Sequence, residues 1–203
     1  MARQKKKVFE NSIRELSVID LILFDHRSIK EGLEILIDDD ADKTKKLSIA
    51  RSFLNSVQMH SLAERKSIYA KLQSHEELHF NILEAEIEHG IVDKKVKVLK
   101  LKLARVRTLK DEVEAELKVL GELIKKHIME EESEMLPKMR EEVDEETLHE
   151  LGLKFMKIRG LTHQQLSEYP ILEDELINWK DSVQKISSQF LSKMDKYVEN
   201  LKH

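Results

Sequence analysis

The stretch Phe53-Leu54-Asn55-Ser56-Val57-Gln58-Met59-His60-Ser61-Leu62-Ala63-Glu64-Arg65-Lys66-Ser67-Ile68 decides how the chain is read. Phe53, Val57 and Ile68, extended back to Ile49 and forward to Leu72, recur every three or four positions. That is the period of one face of an α-helix, so residues from about 44 to 72 are predicted to form one long helix. His60 and Glu64 fall on the same face. An ionised carboxylate on an apolar stripe is costly to bury unless it is paired or bound to a cation. The helix is therefore a candidate carrier of chemistry as well as of packing.

Working outward, the same period predicts further helices. Residues 17–37 carry Ile19, Ile22, His26, Ile29, Leu33 and Leu36 on one stripe, and an acidic loop over 38–42 ends the segment. Ser74 and Glu77 have capping-box spacing, which predicts a helix starting just after Ser74. Its stripe is Ile82, Ala85, His89, Val92, Val96, Leu99 and Leu103. From near Thr108 a fourth helix carries Val113, Leu117, Leu120, Ile124, His127, Glu131 and Met135, and Pro137 is expected to kink or end it. Asp144 has the character of an N-cap for a short helix ending near Gly160. After Pro170, residues Leu172, Leu176, Trp179, Val183, Ile186, Phe190, Met194, Tyr197 and Leu201 repeat close to a heptad, as in a helix that packs on the bundle or pairs with another chain.

Composition agrees with an all-α fold. The 203 residues include only five Gly and two Pro, with 36% charged and 40% hydrophobic residues. Such a mixture favours long helices with an aliphatic core. A net charge of −4 predicts no general attraction to nucleic acid. The basic stretch Arg3-Gln4-Lys5-Lys6-Lys7 reads as a solvated tail, and no apolar run follows it as a secretory signal would require. The longest unbroken apolar run is Leu21 to Phe24, so no membrane span is expected. There is no Cys, which excludes disulfides, thiolate zinc sites and Cys-bound iron–sulfur clusters, and fits a cytoplasmic setting.

Four helices each place a metal-binding residue type within an apolar stripe. If consecutive helices run up and down, residues equidistant from a turn share a level. His89 and His127 each lie 19 residues from position 108 (108 − 89 and 127 − 108). About position 75, His60 lies 15 before and His89 lies 14 after. About position 41, His26 lies 15 before and His60 lies 19 after. At a rise of ~1.5 Å per residue these offsets keep His26, His60, Glu64, His89, His127 and Glu131 within roughly two turns of one another. Imidazole and carboxylate donors without thiolate suit iron, manganese or zinc. Two carboxylates on different helices can bridge a pair of ions and leave positions open for dioxygen, nitric oxide, peroxide or water.

The pattern His26 … His60-Ser-Leu-Ala-Glu64 … Glu88-His89 … His127-Ile-Met-Glu-Glu131 … Leu136-Pro137 resembles the hemerythrin-like HHE family over about residues 16–140. The resemblance implies an up-down four-helix bundle over 16–142, preceded by a basic tail (1–15) and followed by a helical extension (143–203). It implies a non-haem centre of two iron ions held by His26, His60, Glu64, His89, His127 and Glu131, with dioxygen or nitric oxide as the small ligand. In the family's oxygen carriers a further His stands one turn after the third-helix His. Here that position is Asp93, which resembles branches that sense oxygen or iron, or act in nitric-oxide and iron–sulfur repair.

Several residues compete with this assignment. His75 and His79 share a helix face but sit beside the predicted turn, so they are expected at the surface. Glu134 is an alternative to Glu131, whereas Glu130 and Glu132 are expected to be solvated. His149, His163 and His203 have no placeable partners. A ferritin-like reading uses Glu86-Ile-Glu-His89 but finds Ile124 where the second such motif needs Glu. A rival from another class is a metal-free helical adaptor using the C-terminal heptad helix, and residues 171–201 are also a candidate contact for a homodimer or partner protein under the metal reading. An open di-iron site also admits peroxide or nitric-oxide reduction, and nothing in the sequence indicates a pocket for an organic substrate.

Overall fold

The first helix shows how local sequence sets the frame. Ser17 accepts a hydrogen bond from the Asp20 amide, and Asp20 accepts one in return from the Ser17 amide, a complete capping box. Helix α1 (Val18–Ile37) follows and buries the stripe read from the sequence, Ile19, Ile22, His26, Ile29, Leu33 and Leu36. The fold is that of a computed structural model that describes residues 16–38 and 40–161. The basic tail, His163, His203 and the heptad of residues 172–201 with Trp179 lie outside the described residues.

Asp42 caps α2, accepting from the Thr44 and Lys45 amides. Helix α2 spans 43–72 and has three parts: an α segment Lys43–Glu64, a π turn Arg65–Tyr69 and a final α turn Ala70–Leu72. Helix α3 is His79–Leu103, and its buried residues are the seven of the predicted stripe. Helix α4 spans 111–142 as Asp111–Glu130, a π turn Glu131–Met135 and Leu136–Glu142. Helix α5, Glu145–Arg159, has Asp144 as its N-cap and ends at Gly160, whose φ of 74° is the left-handed conformation glycine adopts without strain. Among the described residues all regular structure is helical, and no helix is long and apolar enough to cross a membrane.

Two predicted helix boundaries move. Ser74 does not cap α3; residues 73–78 form a turn in which the Leu78 and His79 amides donate to the His75 carbonyl, and α3 starts at His79. Leu78 is fully buried by that turn, and this burial outweighs the local capping signal. Pro137 does not end α4. The widened turn Glu131–Met135 directly precedes it, so Pro137 enters at the first turn of the next α segment, where its missing N–H costs least.

Polar links fix how the long helices pair. Lys126 reaches Glu88 and Lys102 reaches Glu116, so α3 and α4 run in opposite order along their contact. Arg51 donates to the carbonyls of Leu103 and Val106, and Lys100 to Gln58, which sets α2 and α3 likewise. Helix α5 packs on α1 and α2, with Leu148, Leu151 and Phe155 in the same apolar cluster as Ile22, Tyr69 and Met139. Gly152 permits this approach, because a Cβ there would lie 3.1 Å from the Val18 amide nitrogen. A second apolar cluster gathers Leu33, Phe53, Leu54, Val96, Leu99 and Leu120. Between the two clusters lies a layer of buried polar side chains.

Candidate metal centre

The polar layer consists of His26 on α1, His60 and Glu64 on α2, His89 on α3, and His127 and Glu131 on α4. All six are buried. Each His–Glu pair spans one helical turn, so both side chains leave the same face. A π turn adjoins each carboxylate, starting directly after Glu64 on α2 and at Glu131 itself on α4. A π turn adds one residue to the helical circuit and resets the facing of everything after it. The two helices can thus present His and Glu inward and still return Ile68, Leu72, Met135 and Met139 to the core.

The donor atoms form two overlapping groups. His26, His60, Glu64 and Glu131 offer atoms within 4.8 Å of one another, and so do Glu64, His89, His127 and Glu131. The carboxylates belong to both groups. Glu64 Oε2 lies 3.2 Å from His60 Nε2 and 3.3 Å from His89 Nε2. Glu131 Oε2 lies 3.2 Å from His26 Nε2 and 3.4 Å from His127 Nε2. The imidazole nitrogens meet in pairs, His26 with His60 at 3.2 Å and His89 with His127 at 2.9 Å.

Behind the ring stand groups that orient it. His60 Nδ1 donates to Asp25 at 3.0 Å, and Asp25 is held by the Arg159 guanidinium at 2.6 Å. His26 Nδ1 donates to Glu132 at 2.9 Å, and Lys30 donates to both Glu132 oxygens. His127 Nδ1 donates to Glu88 at 2.8 Å, and Glu88 accepts from Lys126. A carboxylate on Nδ1 keeps the proton there and leaves the Nε2 lone pair facing inward, the tautomer a metal ligand needs. The Tyr69 hydroxyl donates to Glu131 Oε1 at 3.0 Å, and its ring stacks on His89.

With protein groups alone, these charges are in tension. His26 is fully buried, which favours the neutral ring, yet the carboxylates of Glu131 and Glu132 beside it raise its pKa to about 10. Burial, reinforced by repulsion from Glu131, raises Glu64 to about 7. Glu131 goes the other way: burial opposes its charge, but His127 and His26 outweigh burial and lower its pKa. Burial and the charge of His127 depress His89 to about 3. Both Glu64 oxygens, Glu131 Oε2 and His89 Nδ1 are buried with no hydrogen-bond partner. Bare carboxylate oxygens in an apolar interior are costly, and a coordinated cation satisfies them. Imidazole nitrogens and carboxylates without thiolate fit divalent cations of the iron, manganese or zinc type, and the two donor groups are each able to hold one.

The other sequence candidates lie elsewhere. His79 is exposed and donates to the Gln73 carbonyl, and His75 is half-buried; neither joins a donor group. Glu134 is exposed, Glu86 is exposed, and His149 donates to the Leu16 carbonyl. Glu132 corrects the expectation that it is solvated: its side chain is only 6% exposed and anchors His26. The sequence reading also missed Asp25, Tyr69 and Arg159. Asp25 had a signal, an acidic residue closing the apolar run Leu21–Phe24, whereas Arg159 lies 134 residues from its partner and had none.

The Hemerythrin HHE cation binding domain matches residues 17–139, and the chain belongs to that family. Family membership and the buried His/Glu groups together support cation binding. No curated protein and no solved structure matches the chain.

Proposed function

We propose that this chain is a non-haem di-iron protein of the hemerythrin type, built on an up-down four-helix bundle, that binds or senses dioxygen or nitric oxide in the cytoplasm. One observation carries the reading: two four-donor groups share Glu64 and Glu131, and three of the four oxygens of these carboxylates are buried without a hydrogen bond. The opposite order of contacts between α2 and α3 and between α3 and α4 supports the up-down arrangement. His26, His60, His89 and His127 would hold the ions through imidazole nitrogen, and Glu64 and Glu131 would bridge or chelate them. Iron, if bound there, would supply the redox-active Lewis acid that a diatomic ligand requires.

The protein's own groups set the terms of that chemistry. Asp25, Glu132 and Glu88 hold three imidazoles in the binding tautomer. Tyr69 fixes one Glu131 oxygen and leaves the other to be shared. The two apolar clusters exclude water from both ends of the layer. A cavity of about 170 Å³, lined by Glu88, His127, Glu131 and Met135 between α3 and α4, gives a small ligand a route to the layer. A metal-free adaptor, the rival reading, leaves the bare oxygens of Glu64 without a role.

The test is iron loading under anaerobic conditions, followed by metal analysis and absorption spectra before and after air. Two irons per chain are expected, with a near-ultraviolet band that responds to air, and reversal of that response on deoxygenation marks carriage rather than oxidation. Glu64→Ala is expected to lose most of the bound iron. A colourless, iron-free protein after loading, or an unchanged ratio in Glu64→Ala, overturns the assignment.

A further inference from the structure

Helix α3 is apolar on two faces. The buried face, with Ile82, His89, Val96 and Leu103, belongs to the bundle. On the opposite side stand Phe80, Leu83, Ile87, Ile91, Val98 and Leu101, all exposed; Phe80 is 74% and Leu101 72% accessible. Single exposed apolar residues are ordinary, but six large ones on a line are not. With Lys94 they occupy positions 80, 83, 87, 91, 94, 98 and 101, each three or four residues after the last, the spacing of one continuous helix face. Val119 and Leu123 on the neighbouring α4 are exposed too.

Six of the seven α3 positions pair about one centre, and the seventh, Ile91, falls opposite Gly90. Positions 80 and 101, 83 and 98, 87 and 94, and 90 and 91 each sum to 181. Laid antiparallel on itself, α3 therefore sets Phe80 against Leu101, Leu83 against Val98, and Ile87 against the alkyl stem of Lys94. The point of symmetry falls between Gly90 and Ile91, and a Cβ on Gly90 would meet nothing within 4 Å, so two backbones can approach closely there. The charges repeat the pattern. The first half of α3 carries Glu84, Glu86 and Glu88, and the second half carries Lys94, Lys95, Lys97, Lys100 and Lys102 with Asp93 as its one acid. Antiparallel pairing brings Glu84 and Glu86 level with Lys97 and Lys95 (84 + 97 and 86 + 95 are again 181), and its one acid pair, Glu88 with Asp93, is held within each chain by Lys126 and Arg65. Parallel pairing would bring acid level with acid and base level with base.

We propose that two copies of this chain associate through the outer face of α3, antiparallel, about a two-fold axis between Gly90 and Ile91. Such an interface is isologous, each copy offering the same patch to the other. It does not rest on the metal reading, because His89 points to the opposite side of the helix.

Sedimentation of the full chain at micromolar concentration should give twice the monomer mass. Leu83→Glu combined with Ile87→Glu should give the monomer mass, with helical circular dichroism unchanged. The chain has no Cys, so an introduced thiol reports position without interference. Ile91→Cys, beside the axis, should form a disulfide-linked dimer on mild oxidation. Phe80→Cys alone should not, because two copies of position 80 lie 21 residues apart along the antiparallel pair, roughly 31 Å. Phe80→Cys together with Leu101→Cys should cross-link again. A monomer mass for the unaltered chain overturns the proposal. So does a dimer that survives Leu83→Glu/Ile87→Glu, which would put the contact elsewhere, as on the heptad of residues 172–201, and so does self-cross-linking of Phe80→Cys, which would make the pairing parallel.

Discussion

The two halves of the polar layer use the same residue types but are held differently. On the His26/His60 side each imidazole is backed by a buried carboxylate, and each carboxylate is fixed by a cationic side chain, Lys30 or Arg159. On the His89/His127 side, His127 is backed by the half-exposed Glu88, and His89 Nδ1 has no partner. The 170 Å³ cavity reaches this second side through His127 and Glu131. One half is thus clamped and the other is adjustable and accessible. Under the proposed two-ion reading, the clamped half would hold its cation more tightly than the half beside the cavity.

Asp25→Ala should break the clamped half and have the largest effect of the changes outside the ring. It releases His60 and leaves Arg159 without its carboxylate, so tight binding of one cation should weaken by about 10–100-fold. The metal-free fold should lose ~1–3 kcal/mol as well, since a buried polar partner is removed. Metal competition against a chelator and urea unfolding measure the two effects separately. Equal loss of both cations would show that the halves do not differ.

Glu88→Gln touches the open half and should act more weakly. The His127 bond, helped by Lys126, lowers the Glu88 pKa to about 2, so the carboxylate is fully charged at neutral pH and its replacement removes a real partner. Because Glu88 is half-exposed, water can take over part of that role, and a loss of about tenfold for one cation is expected. A titration that resolves two binding steps should show the weaker step shifting and the tighter one holding.

The smallest effect is a proton count. His26, held at about pKa 10 by Glu131 and Glu132 against burial, is charged at neutral pH in the metal-free chain. Loading a cation on Nε2 must expel that proton, so affinity should rise with pH towards about 10. Calorimetry at pH 7.5 in two buffers of different ionisation enthalpy should show proton release on loading, and less of it in His26→Ala. The same raised pKa bears on stability. Its contribution is fully present below the unfolded value of 6.5 and is lost as pH climbs through about 10.

How much the sequence discloses varies with the range of the interaction. The α3 stripe, the Asp144 cap and the Gly160 stop were all readable, since each depends on neighbours within a turn or two. Convergence of His26, His60, Glu64, His89, His127 and Glu131 was readable as well, because polar residues on apolar stripes at matched heights are carried into one layer when the stripes pack together. The cap at Ser74 was misread, since burial of Leu78 overrode a local preference. Glu132 was misread because an acidic run looks solvated until a second helix arrives to claim one member of it.

The sequence by itself determined that the described chain is helical, which face of each helix turns inward, and which six side chains meet there, because helical periodicity ties position in the chain to position in space. Only the tertiary structure decided which carboxylates both donor groups share, which imidazoles are clamped, and that α5 reaches back through Arg159 to Asp25. Those outcomes depend on distances between segments far apart in the chain, and such distances are set by packing rather than by any local preference.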